Sequence, residues 1–186
     1  MKIAVLGLGK IGHNTAALLV KRGFEVSGFT RDMDKAKAVN EYGITVTGFI
    51  EGNFKVRATT DIEEAVNGAE FLVVTTTSRG HKPMAELLKG KLQRGQRIVI
   101  ITGNWGAYEF YSVLKDEVKE KDIIIGETSG NLAASPTLTY PATTFMKTPK
   151  KSMSFATIPG CAGSRVVEDL KEAFPEVDEK QPIRRL

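Results

Sequence analysis

A single cysteine, Cys161, occurs among 186 residues, so no internal disulfide can form and a zinc site built on several thiolates is excluded. Such sparing use of thiols fits a reducing compartment. Long apolar runs are missing too. No stretch approaches the ~18 residues that cross a bilayer, and the opening MKIAVLGLGK is broken by Gly7, unlike a secretory leader. A cytoplasmic protein with no membrane partner is expected. There is no Gly-X-Y or proline-rich period, no repeat and no low-complexity tract, which sets aside fibrous and disordered classes. A P-loop, a nucleophile elbow and an acidic pair at metal-ligand spacing are likewise absent, so no metal is expected. Charge of one sign is not concentrated: 26 basic residues stand against 22 acidic ones, a net +4. The small groups at Lys147, Lys150 and Lys151 and at Arg184 and Arg185 carry no interleaved aromatics, and no nucleic-acid partner is expected. A pI near 9.1 still favours the approach of a small polyanion.

What is present is a globular balance, 41% hydrophobic and 26% charged, in a length suited to one domain spanning 1–186. Short β-branched runs alternate with amphipathic stretches. KIAVLG reads as a strand, 10–22 as a helix stopped by Gly23, EVSGFT as a strand, and 33–42 as a helix ended by Gly43. ITVTGF and GNFKVRAT, joined at 51–53, read as an inserted hairpin. Asp61 reads as an N-cap before IEEAV. FLVVTTT, RIVIIT and IIIGET read as central strands, separated by helices over 80–93 and 107–119. TTFMK and SMSFATI read as a second hairpin, followed by a helix over 164–174 and a charged tail. Strand–helix alternation at this spacing predicts an α/β, doubly wound, mostly parallel sheet of Rossmann type.

The strongest motif is Gly7-Leu8-Gly9-Lys10-Ile11-Gly12. G-x-G-x-x-G is weak alone, but here it follows a strand and opens a helix. Gly7 allows the tight turn, Gly9 the approach of a pyrophosphate, and Gly12 close helix–sheet packing, while the helix N-terminus offers free N–H groups. A dinucleotide cofactor follows, its phosphates held along 7–12. About twenty residues on, an NAD site places an acid on the ribose. Here Thr30 stands at that point and Arg31 follows, which suits the 2′-phosphate of NADP. A one-step slip would instead set Asp32 on the ribose, so NAD is the second choice.

TTTSRGH (75–81) and TGNWG (102–106) fall where later strands end, the edge at which open α/β sheets hold ligands. Thr76 and Asn104 are candidate contacts there. Trp105 either faces a ligand or caps the sheet by packing. His81 is either an acid–base group or a helix-start residue, and His13 is expected near the phosphates. Tyr111 and Lys115 share the Y-x-x-x-K spacing of short-chain dehydrogenases but lack that family's glycine pattern and serine partner, and read as a helical i, i+4 face. No catalytic residue is assigned.

KIAVLGLGKIGHNTAALLVKRGFEV, TTDIEEAVNGAEFLVV, TGNWGAYEFYSVL, IGETSGNLAAS and SFATIPG occur in that order, and the chain resembles the N-terminal domain of the octopine/opine dehydrogenase family. More distantly it resembles the cofactor domains of ketopantoate reductase and glycerol-3-phosphate dehydrogenase. The resemblance implies reduction of a 2-keto acid, or of its imine with an amino acid, by hydride from a nicotinamide cofactor. It places Asn104 and Glu127 on the nicotinamide side. In that family a helical catalytic domain carrying a His–Asp pair follows, and this domain is expected to be absent from residues 1–186, which reach Leu186 about where it would begin. The stretch after Glu127 departs from the family by lacking its tyrosine and arginine. Three readings stay open: a cofactor domain working with a second domain or separate helical chain, a nucleotide-binding sensor without turnover, and a small reductase completed by homodimerisation.

Overall fold

The computed structural model describes residues 1–179. Strands β1 (Lys2–Leu6), β2 (Glu25–Phe29), β5 (Arg57–Thr59), β6 (Phe71–Val74), β7 (Arg97–Ile100), β8 (Ile124–Thr128), β11 (Met153–Ile158) and β12 (Val177–Glu179) make the main sheet. Among the described residues its order is β12-β11-β8-β7-β6-β1-β2-β5. Every neighbouring pair is parallel except β11 with β8. The helices are α1 (Lys10–Lys21), α2 (Met33–Tyr42), α3 (Ile62–Val66), α4 (His81–Leu88), α5 (Gly106–Glu120) and α6 (Gly163–Ala173). This is the Rossmann-type α/β fold the sequence predicts. None of these helices is long and apolar enough to cross a membrane.

Successive strand residues point to opposite faces, and each face has its own core. Ile3, Val5, Val73 and Val99 pack with α1 and α6 residues such as Leu19 and Leu170. Ala4, Leu6, Leu72, Val74, Ile98 and Ile100 pack with Ile62, Leu88, Phe110 and Leu114 of α3, α4 and α5. A sheet buried on both sides explains why these strands read as unbroken apolar runs. The Asp61 cap is as expected: its carboxylate accepts from the amides of Glu63 and Glu64.

Three sequence expectations need correction. The first hairpin is shorter than its two runs: β3 (Ile44–Gly48) pairs with β4 (Gly52–Phe54), whereas β5 leaves for the edge of the main sheet. Asn40 causes the split by donating to the Ala58 carbonyl and accepting its amide, both at 2.8 Å, which ties β5 to α2. The second hairpin does not form. TTFM becomes β10 (Thr143–Met146), parallel to β3 and antiparallel to β9 (Leu138–Thr139) in a separate four-stranded sheet. SMSFATI instead joins β8, where the bare backbone of Gly126 leaves room for the Phe155 ring. Finally, α4 stops at Leu88 because the chain turns at Lys89 and Gly90, the latter at φ +79°. The expected tail from residue 180, with Arg184 and Arg185, lies outside the described residues.

Candidate functional site

After β1 the chain runs to β2 on one side, and later returns to β6 on the other, so the glycine turn opens at the topological switch point. Gly7 has φ +110°, a left-handed value open to glycine. Its amide and that of Leu8 donate to the Phe29 carbonyl, tying the turn to the end of β2. From the other side, Thr75 Oγ1 donates to the Gly7 carbonyl at 2.7 Å. A Cβ on Gly12 would fall onto that carbonyl, so helix α1 can start here only with glycine. Gly9 differs: a Cβ there would meet nothing within 4 Å and would project into the open groove. No side chain caps α1 and no acid sits in its first turn, so its positive end is free to face a phosphate.

The other motif residues divide by role. Leu8 is buried, its side chain seated against Gly28, so only its backbone reaches the groove. Lys10 is turned aside, its ammonium donating to the Pro136 carbonyl at 2.9 Å. Ile11 lines the far recess. His13 is fully buried behind the loop, its Nδ1 2.9 Å from the Gly9 carbonyl. Burial lowers its pKa, against the pull of that carbonyl, so the ring is neutral and donates from Nδ1.

A groove of about 440 Å³ opens beside the turn, within the size range of small-molecule sites. One wall is the β2–α2 connection with Thr30, Arg31 and Asp32; the other is the β6–α4 connection with Thr76 and Arg79, together with Met84 of α4. Thr30 is buried, and its hydroxyl accepts the Asp32 amide at 3.2 Å. Asp32 caps α2, accepting the Lys35 amide at 3.0 Å with the Lys35 ammonium at 3.7 Å, and these hold its pKa down, the amide foremost. Arg31 and Arg79 have no hydrogen-bond or ion-pair partner among the described residues, so both guanidinium groups are available to a ligand.

Thr75, Thr76 and Thr77 also line a second recess of about 260 Å³, walled by Ile11, Thr102, Asn104 and Asn131. The two recesses together cross the C-terminal edge of β6, β1 and β7. Thr76 stands at their divide, and its Oγ1 is buried without a partner among the described residues. Asn104 lines this second recess. Glu127 is not among the residues lining either recess; its carboxylate turns under α5 and accepts the Ala107 amide at 2.8 Å. Trp105, for which packing and ligand contact were both open, is exposed and packs into no core. His81 is fully buried, its ring edge-on to Phe110. Burial lowers its pKa against the opposing charge of Glu109 and the pull of the Thr76 backbone. Tyr111 and Lys115 lie along α5 as an i, i+4 pair, Tyr111 facing a separate 470 Å³ cavity at the opposite edge of β8. Thr75 and Arg79 fall in the 75–81 stretch expected at the ligand edge, though neither was singled out there; Asn131 was missed by sequence reasoning.

An uncapped helix end, an open Gly9, two free arginines and a long two-part groove fit a dinucleotide. Residues 2–153 match the family described as NAD-dependent glycerol-3-phosphate dehydrogenase N-terminus. The chain belongs to this family. It is an NAD(P)-binding N-terminal dehydrogenase domain, as the glycine turn at the switch point indicates. Among family relatives, an opine dehydrogenase from Arthrobacter sp. (strain 1C) is 27% identical over 93% of this chain and 49% of its own length. A glycerol-3-phosphate dehydrogenase [NAD(P)+] from Chlamydia felis is 38% identical over 47% of this chain and 27% of its own. The fold also matches octopine dehydrogenase solved with NADH and L-arginine, at a TM-score of 0.81 and 21% identity, covering 98% of this chain and 49% of that one. The chain thus spans about half the length of the opine and octopine dehydrogenases it matches.

Proposed function

We propose that this chain is the NADP-binding domain of an opine-dehydrogenase-like oxidoreductase, which reduces a 2-keto acid or its imine. The observation that carries the cofactor choice is the pair of unpartnered guanidinium groups, Arg31 and Arg79, on opposite walls of one groove. Asp32, the acid that could have met a ribose diol, is engaged by the cap of α2. In this reading the backbone of Gly7, Leu8, Gly9, Lys10, Ile11 and Gly12 surrounds the pyrophosphate. Thr30 and Arg31 take the adenosine ribose with its 2′-phosphate, Thr76 lies under the middle of the cofactor, and Asn104 meets the nicotinamide side. The cofactor supplies hydride. What the chain's own residues do is bind, orient and hold that group at the edge of the sheet.

Proton transfer is a different matter. The chain has two histidines, and both are fully buried. Neither reaches the groove to protonate an acceptor, and positioned acid–base help is worth roughly 10²–10⁴-fold. We therefore place the acid and the acceptor pocket on a helical domain, on the same or a separate polypeptide, consistent with relatives of about twice this length. The same buried histidines favour, as a second reading, a binding module without turnover.

Fluorescence titration with NADPH and NADH, on the unmodified chain and Arg31→Ala, tests the cofactor assignment. NADPH should bind at least tenfold tighter, since a charge-assisted bidentate pair contributes on the order of 1.5–3 kcal/mol. Arg31→Ala should remove most of that preference while sparing NADH. Equal affinities in the unmodified chain would overturn the NADP assignment. Assaying NADPH oxidation with panels of 2-keto acids, with and without amino acids, separates the two functional readings. Trace turnover that rises when a helical partner domain is supplied supports the oxidoreductase, and none under any pairing supports the sensor.

A further inference from the structure

The loop from Thr102 to Trp105 has an unusual backbone. Thr102, Asn104 and Trp105 have φ of 61°, 45° and 70°, so three side-chain-bearing residues within four sit in the left-handed region. Such a turn persists only where its surroundings over-determine it. Here the restraints come from the end of β8 and the turn after it. The Thr102 amide donates to Thr128 Oγ1 at 3.0 Å and the Gly103 amide to the Thr128 carbonyl at 3.1 Å. The Thr102 hydroxyl donates to Asn131 Oδ1 at 2.6 Å. At the far end of the loop, the Ala107 amide donates to Glu127 Oε2.

Glu127 does two things at once. Trp105, in the N-cap position of α5, has no side-chain oxygen to cap the helix, so the cap is supplied by a carboxylate reaching across from β8. A negative group at that end also complements the helix dipole. In addition, Gly103 lies directly over the Glu127 side chain, where a Cβ would overlap its Cβ, Cδ and Oε2. The carboxylate is thus both tether and floor for the turn that carries Asn104 into the second recess.

We infer that Glu127 is a positioning residue of the cofactor site: it acts through the Gly103 and Ala107 backbone to hold Asn104 at the nicotinamide-side recess. The inference rests on the dinucleotide reading of the groove. It makes a distinction that direct ligand contact does not. A glutamine at 127 keeps an oxygen that can accept from Ala107 and fills the same space, so it should preserve the loop. An alanine cannot.

The test uses the full chain, Glu127→Ala, Glu127→Gln, and two probes: NADH, and ADP-ribose, which has the adenosine and pyrophosphate but no nicotinamide. In the unmodified protein NADH should bind more tightly than ADP-ribose. Glu127→Ala should lose fivefold or more of its NADH affinity while ADP-ribose stays within twofold, and Glu127→Gln should retain both within twofold. Trp105 is the only tryptophan of the chain, so its fluorescence anisotropy reports the loop without ligand. It should fall in Glu127→Ala and not in Glu127→Gln. Unchanged NADH affinity and anisotropy in Glu127→Ala would overturn the proposal, as would a glutamine variant as impaired as alanine, which would assign the charge a direct role. If the unmodified chain bound neither probe, the dinucleotide reading would fail, while the anisotropy comparison would still decide whether Glu127 holds the loop. Should Glu127→Ala not fold, Gly103→Ala displaces the same turn from above, and it should give the same selective loss of NADH affinity.

Discussion

The hydroxyl of Thr75 lies 2.7 Å from the carbonyl of Gly7, linking the end of β6 to the turn after β1 across the switch point. Two loops far apart in sequence are thereby held in one register, so the shape of the pyrophosphate turn depends on a residue outside the motif. Replacing Thr75 by Val removes this bond with little change in volume. Stability should drop by about 0.5–1.5 kcal/mol in urea titration, and dinucleotide affinity should fall with it.

Gly9 and Gly12 should respond in opposite ways. Gly9→Val adds bulk where no protein atom lies within 4 Å, so the thermal midpoint should move little while cofactor binding is abolished. Gly12→Ala sets a methyl group against the Gly7 carbonyl and should destabilise the fold itself. Overpacking of this kind costs typically 1–3 kcal/mol. Melting curves paired with fluorescence titration separate the two. A Gly9→Val protein that still binds would place the ligand elsewhere.

Arg79 offers a second handle on cofactor choice. It stands on the wall facing Arg31, without a partner among the described residues. Arg79→Ala should weaken NADPH several-fold more than NADH. Because both arginines would meet the same phosphate, the double variant should lose less than the product of the single losses. Strict additivity would show that they serve separate parts of the ligand.

The buried histidines give the fold a predictable response to acid. His13 and His81 both have pKa values lowered by burial from an ordinary 6.5. The unfolded chain takes up protons there before the folded one does, so stability is full above about pH 6.5 and declines below it. Each histidine contributes a slope of up to roughly 1.4 kcal/mol per pH unit. Asp32, whose folded pKa is also lowered, acts in the same direction at lower pH: its share is present above the ordinary carboxylate range and is lost only in more acidic solution. Thermal melts from pH 7.5 to 5 should show the histidine decline, and a His13→Gln/His81→Gln double variant should flatten it.

The outline of the fold was legible because the dominant signals are local. The glycine motif lies between a strand and a helix, and apolar runs such as FLVV have no polar alternation, which marks a sheet covered on both faces. The pairing of β10 with β3 was not legible, because nothing near Thr143 specifies a partner near Thr45; that choice is made by packing on α1, where Asn14 donates to the Phe145 carbonyl. In the site, Arg31 could be found by counting from the glycines. Arg79 lies in the 75–81 stretch that the strand pattern marks as a ligand-holding edge, whereas Asn131 enters through three-dimensional proximity alone. Glu127 came by resemblance, but its contact with Ala107 depends on a left-handed turn that TGNW does not announce.

The β3–β10 pair has a bearing on how the molecule is made. Its strands lie roughly one hundred residues apart in the chain, and at about 5–20 residues per second of synthesis the first waits several seconds for the second. During that interval Ile44 and Val46, both buried in the finished protein, have β4 beside them but no β10 to complete their sheet. A chain released after Thr128 would carry the glycine turn, both walls of the larger groove and Glu127, yet lack β10, one of the strands against which α1 packs. The residues around the glycine turn would be present, while Asn131 of the second recess and the β10 part of the surface under α1 would not.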